Sequence, residues 1–274
     1  MTVNDRNASL DYLRLLAAVG IVWFHSMAEE GHRVAYLALP FFLVLLGRPS
    51  GAAVADKARR LLWPFLIWSV IHAVLQIALA LRAGGPMFGW WQNAMLLAGT
   101  AVHLWFLPFA FLATVLMRLL RADWLAMVLP VLAAVVVIAL PANLPTPAAQ
   151  WVFGIVPLTL GHCYFRCGWR VALPWAVCGA ILFAGRTSPD NVTVVLGVAI
   201  AVLLLQIRLP RTLLSDRCAR VALLMFLCHM VVMQAGWTLR LEGVALGLFA
   251  ILGSLALALG IDALRGWRIA RLLT

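Results

Sequence analysis

Apolar residues run through this chain in long blocks, and the short stretches between them hold most of the Arg, Lys, Gly and Pro. A helix needs about 20 apolar residues to cross the hydrocarbon core of a bilayer. Ten such blocks can be marked, at approximately 10–28, 35–52, 60–82, 93–118, 123–140, 148–165, 170–185, 191–208, 218–238 and 243–264. The expected fold class is therefore all-α, a single domain over 1–274 built as a polytopic bundle of about ten transmembrane helices. No stretch remains for a separate soluble domain. The first block follows Asp5 and Arg6 and lacks a small-residue cleavage site, so it reads as a retained span rather than a signal peptide. No inverted repeat of the kind that marks many secondary transporters stands out.

The cations supply an orientation. With ten spans, one side of the bilayer receives Arg6, then Arg48, Lys57, Arg59 and Arg60, then Arg118 and Arg121, then Arg166 and Arg170, then Arg208, Arg211, Arg217 and Arg220, and last Arg265, Arg268 and Arg271. The opposite side receives Arg33, Arg82, Arg186 and Arg240. Cytoplasmic loops carry the excess of Lys and Arg. Both termini are thus expected in the cytoplasm. The prolines of 141–147 read as an outer turn, as do Gly84, Gly85 and Pro86.

Composition agrees with this reading. The 274 residues are 65% hydrophobic and 11% charged, with a mean hydropathy of +1.01, whereas an ordinary soluble domain is about 25% charged. A net charge of +11 would suit nucleic acid, but the cations lie between apolar runs, where topology accounts for them. Nucleic acid is not expected as a partner; the lipid bilayer is. Five cysteines, an odd number, lie in or beside apolar runs and indicate no disulfide framework. Cys163 and Cys167, with His162 beside them, have a spacing a metal could use, yet thiols are also common small hydrophobes in buried helices. No metal is expected.

Ionisable groups inside apolar spans are costly there and mark candidate chemistry. In the first span, LDYLRLLAAVGIVWFH at 10–25, Arg14 and His25 are eleven residues apart, which on a helix is nearly the same face and roughly 16 Å. Asp11, three residues before Arg14, is placed to pair with it. His25 is the group able to change protonation near neutral pH. In the third span Trp68, His72 and Gln76 form a polar ridge, the fourth carries His103 and Trp105, and His162 and His229 follow later. The topology places His25, His32 and His103 toward the outer surface, with His72, His162 and His229 deeper.

Several of these segments together resemble a known family. LDYLRLLAAVGIVWFH is similar to the first helix of the membrane-bound acyltransferase-3 family, in which an Arg is followed eleven residues later by a His. LPFFLVLLG at 39–47 resembles its second helix, KARRLLWPFLIWS at 57–69 its basic approach to the third, HLWFLPFAFL at 103–112 its fourth, and FLCHMVV at 226–232 its late-helix histidine segment. One departure lies in the basic segment, where the family's Arg-x-x-Arg pair corresponds to Lys57 and Arg60, with Arg59 as an extra cation. Lysine cannot make the bidentate fork of arginine.

The resemblance implies an integral membrane O-acyltransferase of the carbohydrate O-acetylating type, multi-pass in a bacterial inner membrane. An acyl group, acetyl in the first instance, passes from cytoplasmic acyl-CoA to a hydroxyl of a cell-surface or exported carbohydrate or glycolipid. Acetyl-CoA is then a substrate and no cofactor is bound; glycan-assembly proteins are possible partners. His25 is the expected base or nucleophile, roles an imidazole suits equally, and Arg14 its supporting cation. Lys57, Arg59 and Arg60 are expected to bind the donor phosphates, His103 and Trp105 to contact substrate, and Asp11 and His72 to support the site. Arg14 and His25 should face one shared, wetted passage. The rival reading is a proton-coupled transporter or flippase of a glycolipid.

Overall fold

The computed structural model describes residues 8–141, 143–184 and 189–264. Among them the regular structure is helical, with no strand. The helices are α1 (Ser9–His25), α2 (His32–Tyr36), α3 (Ala38–Leu46), α4 (Val54–Arg82), α5 (Met95–Ala98), α6 (Phe106–Leu119), α7 (Asp123–Ala139), α8 (Ala148–Cys167), α9 (Trp169–Ala184), α10 (Pro189–Leu204), α11 (Leu213–Thr238) and α12 (Gly243–Ala263). By length and composition α4, α11 and α12 are each able to cross a membrane. Arg6, Arg186, Arg265, Arg268 and Arg271, part of the charge pattern behind the expected orientation, lie outside the described residues.

Large apolar side chains are exposed as well as buried. On α4, Pro64, Trp68 and His72 are buried, whereas Leu66, Val70 and Val74 on the opposite stripe are each more than half exposed. On α12, Leu248 and Leu252 project outward in the same way. Soluble monomers rarely expose contiguous apolar patches of this extent. These stripes are lipid-facing.

Two expected spans are broken. The second becomes α2 and α3, which meet at Leu37, and α3 stops at Leu46, leaving 47–53 as a loop. The fourth is interrupted at Gly99, whose φ of +79 favours glycine. There the Thr100 hydroxyl donates to the Ser69 carbonyl at 2.5 Å, and a single 3₁₀ turn over Val102–Trp105 precedes α6. A run of apolar residues carries no signal for such a break, because hydropathy averages across it. The break turns His103 inward.

Packing fixes the rest. Helix α11 starts with a capping box in which Thr212 and Ser215 exchange side-chain-to-backbone bonds, each 3.1 Å. α3 presses on α8 so closely that a Cβ on Gly161 would collide with the Val44 carbonyl, and one on Gly47 with the backbone of Gly161 and His162. Small residues allow such approach between membrane helices. His162, fully buried, ties the ends of two helices together: its ring nitrogens lie 3.1 Å from the Gly47 carbonyl and 2.9 Å from that of Leu120. His162 is a structural clamp.

Candidate functional site

Helix α1 lies against α11, and Ala18, Ile21 and Val22 pack with Val221, Ala222, Met225 and Phe226 in one core. That shared face carries polar groups toward both ends. Arg14, Ile21 and His25 fall on it at seven- and four-residue steps, the repeat of an α-helix.

At one end is a cavity of about 1440 Å³, larger than the ~300–1,000 Å³ of a drug-sized ligand site. Its exposed mouth is formed by Arg48, Pro49, Ser50 and Gly51 of the 47–53 loop, by Lys57, Arg59 and Arg60 of α4, and by Arg211. Its floor is apolar, with Ile21, Phe42, Phe106 and Phe226. Among the described residues, Asp216 is the one carboxylate in the lining.

The cations divide by partner. Arg14 donates to Asp11 at 2.9 Å, and the Asp11 carboxylate is buried. Arg211 makes a forked pair with Asp216 at 2.8–3.1 Å, and these hydrogen bonds raise its pKa above the ordinary arginine value. Arg220 pairs with Asp262 at 2.7 Å. Arg48, Lys57, Arg59 and Arg60 pair with no carboxylate among the described residues, and Lys57 is close enough to Arg14 and Arg60 to feel both charges. An unbalanced positive mouth over an apolar floor fits a long anionic molecule with a thin apolar end.

Beyond the floor is a cluster of four imidazoles. The ring centroids of His25 and His229 are 5.2 Å apart, those of His229 and His103 4.6 Å, and those of His103 and His72 5.4 Å. His72, His103 and His229 are at most 2% exposed; His25 is less deeply placed. Phe226 is the wall between the two regions. It lines the cavity, and its ring centroid is 5.3 Å from that of His103 and 6.0 Å from that of His229.

The residues expected at the site fall into two groups. Arg14, Lys57, Arg59 and Arg60 meet on one cavity, and His25, His72 and His103 meet in the cluster. The expected separation of His25 and His103 from the deeper His72 and His229 is corrected: the 3₁₀ turn before α6 and the packing of α1 on α11 bring the four rings into one chain of neighbours 4.6–5.4 Å apart. Arg14 and His25 share a face of α1, but of the two Arg14 alone is in the lining of this cavity, whose floor includes Ile21 and Phe226. Trp105 joins neither region. It is 7% exposed and packs with Phe106 and Phe109.

Two residues were not foreseen at the site, His229 and Phe226. Their signal was the i, i+3 spacing within FLCHMVV, which puts both side chains on one face of α11.

A family model described as an acyltransferase domain matches residues 7–263. The chain belongs to the acyltransferase-3 family. It is an acyltransferase, and the apolar helices together with the family make it a membrane protein. No curated protein and no solved structure is similar enough to the chain to count as a match.

Proposed function

We propose that this acyltransferase-3 protein transfers an acyl group, acetyl in the first instance, from acyl-CoA on the cytoplasmic side to a hydroxyl of a carbohydrate or glycolipid on the outer side. The observation that carries the reading is the cavity, whose mouth holds Arg48, Lys57, Arg59 and Arg60 with no carboxylate partner among the described residues and whose floor abuts the histidines. CoA is polyanionic at its nucleotide end and thin and uncharged along its pantetheine arm. Lys57, Arg59, Arg60 and Arg48 suit its phosphates by charge-assisted hydrogen bonds. The arm then lies along Arg14 toward Phe226, and the roughly 16 Å from Arg14 to His25 is the distance it has to cover.

His25 acts at the far end as base toward the hydroxyl or as the nucleophile that carries the acyl group. Arg14, held in place by Asp11, stabilises negative charge on the donor side. In this reading the ten helical stretches are spans, both termini are cytoplasmic, the membrane is a bacterial inner membrane, and glycan-assembly proteins present the acceptor.

The test is transfer of label from radioactive acetyl-CoA to glycan in membranes containing the full chain, with glycan mass spectrometry to find the modified sugar. His25→Ala is expected to lower transfer at least about 10²-fold while leaving the protein in the membrane. Full activity in that variant would remove His25 from the chemistry.

A further inference from the structure

The loop 47–53 stands between two open spaces. Pro49, Ser50 and Gly51 line the large cavity on one side and a smaller one, of about 210 Å³, on the other, so packing does not hold the middle of the loop. Side chains from other helices hold its ends. Arg118 of α6 donates to the Ala52 carbonyl at 3.1 Å. At the start, Nδ1 of His162, on α8, lies 3.1 Å from the Gly47 carbonyl. The next residue is Arg48, which is in the lining of the large cavity.

The anchor reaches Arg48 through one peptide unit. The Gly47 carbonyl and the Arg48 nitrogen belong to the same planar group. Its oxygen lies against the His162 ring, and its N–H donates to the Leu45 carbonyl at 3.2 Å. With both edges tied the plane is set, and with it the direction in which Arg48 leaves the end of α3. Gly47 and His162 are both buried. A buried carbonyl that loses its donor is costly to leave in place, and it turns toward the open space beside the loop, taking Arg48 with it.

We propose that His162 is a positioning residue for the acyl donor. A hydrogen on Nδ1 holds the Gly47 carbonyl, and the peptide held there aims Arg48 at the cavity mouth. The inference rests on the reading above, in which that mouth takes the phosphates of acyl-CoA. Carbonyls only accept, so each ring nitrogen that bonds one must carry a hydrogen; the neutral ring serves Gly47 or Leu120, and the imidazolium serves both. The Nε2 contact with Leu120 joins α8 to the end of α6 and contributes to stability, not to the aim of Arg48. His162 acts through Arg48 and takes no part in the chemical step.

The experiment uses full chains in membranes with radioactive acetyl-CoA, and compares Arg48→Ala, His162→Gln, His162→Asn and His25→Ala with wild type. The amide nitrogen of Asn is as many bonds from Cβ as Nδ1 is, and that of Gln as many as Nε2. His162→Asn therefore keeps the bond to Gly47, whereas His162→Gln keeps the one to Leu120. His162→Gln is expected to raise KM for acetyl-CoA about tenfold, the loss of one charge-assisted hydrogen bond at an exposed site, with kcat unchanged. His162→Asn should restore KM to within about twofold of wild type. Arg48→Ala should match His162→Gln, and the double variant should be no worse than either alone. A histidine that only braces the fold would give Asn and Gln variants alike, or effects that multiply with Arg48→Ala, and either pattern overturns the proposal. If the Arg48 and His162 variants all keep the wild-type KM while His25→Ala is inactive, the positioning role is refuted and the transfer reaction stands. If wild type transfers no label, both readings fall. Should His162→Gln not accumulate, a rise in KM of about tenfold in His162→Asn rejects the inference by itself.

Discussion

The cavity and the imidazole cluster sit toward opposite ends of one face of α1, and they hold opposite kinds of polar group. The cavity gathers permanent charge that has no carboxylate partner among the described residues, at an exposed mouth where water keeps Arg59 and Arg60 tolerable. The cluster gathers groups that are neutral unless a proton is delivered, and it buries them. Four fixed charges could not be held where His103 and His229 are, because desolvation would cost several kcal/mol per ion. Four neutral imidazoles could not attract the polyanionic donor proposed above. Binding and chemistry therefore require two regions with different relations to water, and Phe226 keeps them distinct.

The largest expected effect breaks the cavity alone. Lys57→Ala combined with Arg60→Ala removes two of the cavity's cations that have no carboxylate partner among the described residues. A hydrogen bond to a charged group contributes about 1.5–3 kcal/mol, and the partial exposure of both residues puts each at the lower end. The double variant should raise KM for acetyl-CoA on the order of 100-fold with little change in kcat, the pattern of lost uniform binding. Lys57→Arg should retain most of the affinity. The wild-type KM should also rise with salt, as exposed charges separated by about 8 Å or more are screened at physiological ionic strength. A fall in kcat at constant KM would place these cations in the chemical step instead.

What the sequence made legible follows the same division. The cavity's cations are close in sequence, Lys57, Arg59 and Arg60 within one turn, and charge in an apolar chain is conspicuous. The Arg14 to His25 face was legible because a single unbroken helix, Ser9–His25, carries both. The cluster was not, because His25, His72, His103 and His229 come from four separate elements and meet only through the break at Gly99 and the packing of α1 on α11. Hydropathy sees a continuous block at 93–118, and nothing in it marks where the chain turns. The role of Phe226 was hidden for a further reason. A phenylalanine in an apolar helix is ordinary, and its position as a wall depends on what lies on either side of it.

A smaller effect tests that wall. Phe226→Leu keeps an apolar side chain and should cost less than about 1.5 kcal/mol of stability, but it thins the layer between the cavity and His103 and His229. Water reaching the thioester from the cluster side should then raise hydrolysis of acetyl-CoA several-fold when no acceptor is supplied. Measured release of free CoA from membranes checks this. Unchanged hydrolysis would show that the separation of the two regions does not rest on this ring.

The smallest expected effect concerns a residue whose sequence context pointed to substrate. Trp105 follows His103 by two positions, and both were expected to contact substrate, yet on the 3₁₀ turn the two side chains diverge. His103 meets His72, His229 and Phe226, whereas Trp105 stacks edge-on with Phe109 at 5.7 Å and packs in the core with Leu43 and Leu158. Trp105→Phe keeps an aromatic ring there and loses part of its packing, about 1–2 kcal/mol. The melting temperature should fall while kcat and KM stay within about twofold, less than 0.5 kcal/mol in the barrier. A tenfold loss of transfer at unchanged melting temperature would mean that the acceptor reaches Trp105, and that the cluster's boundary runs one helical turn further than His103.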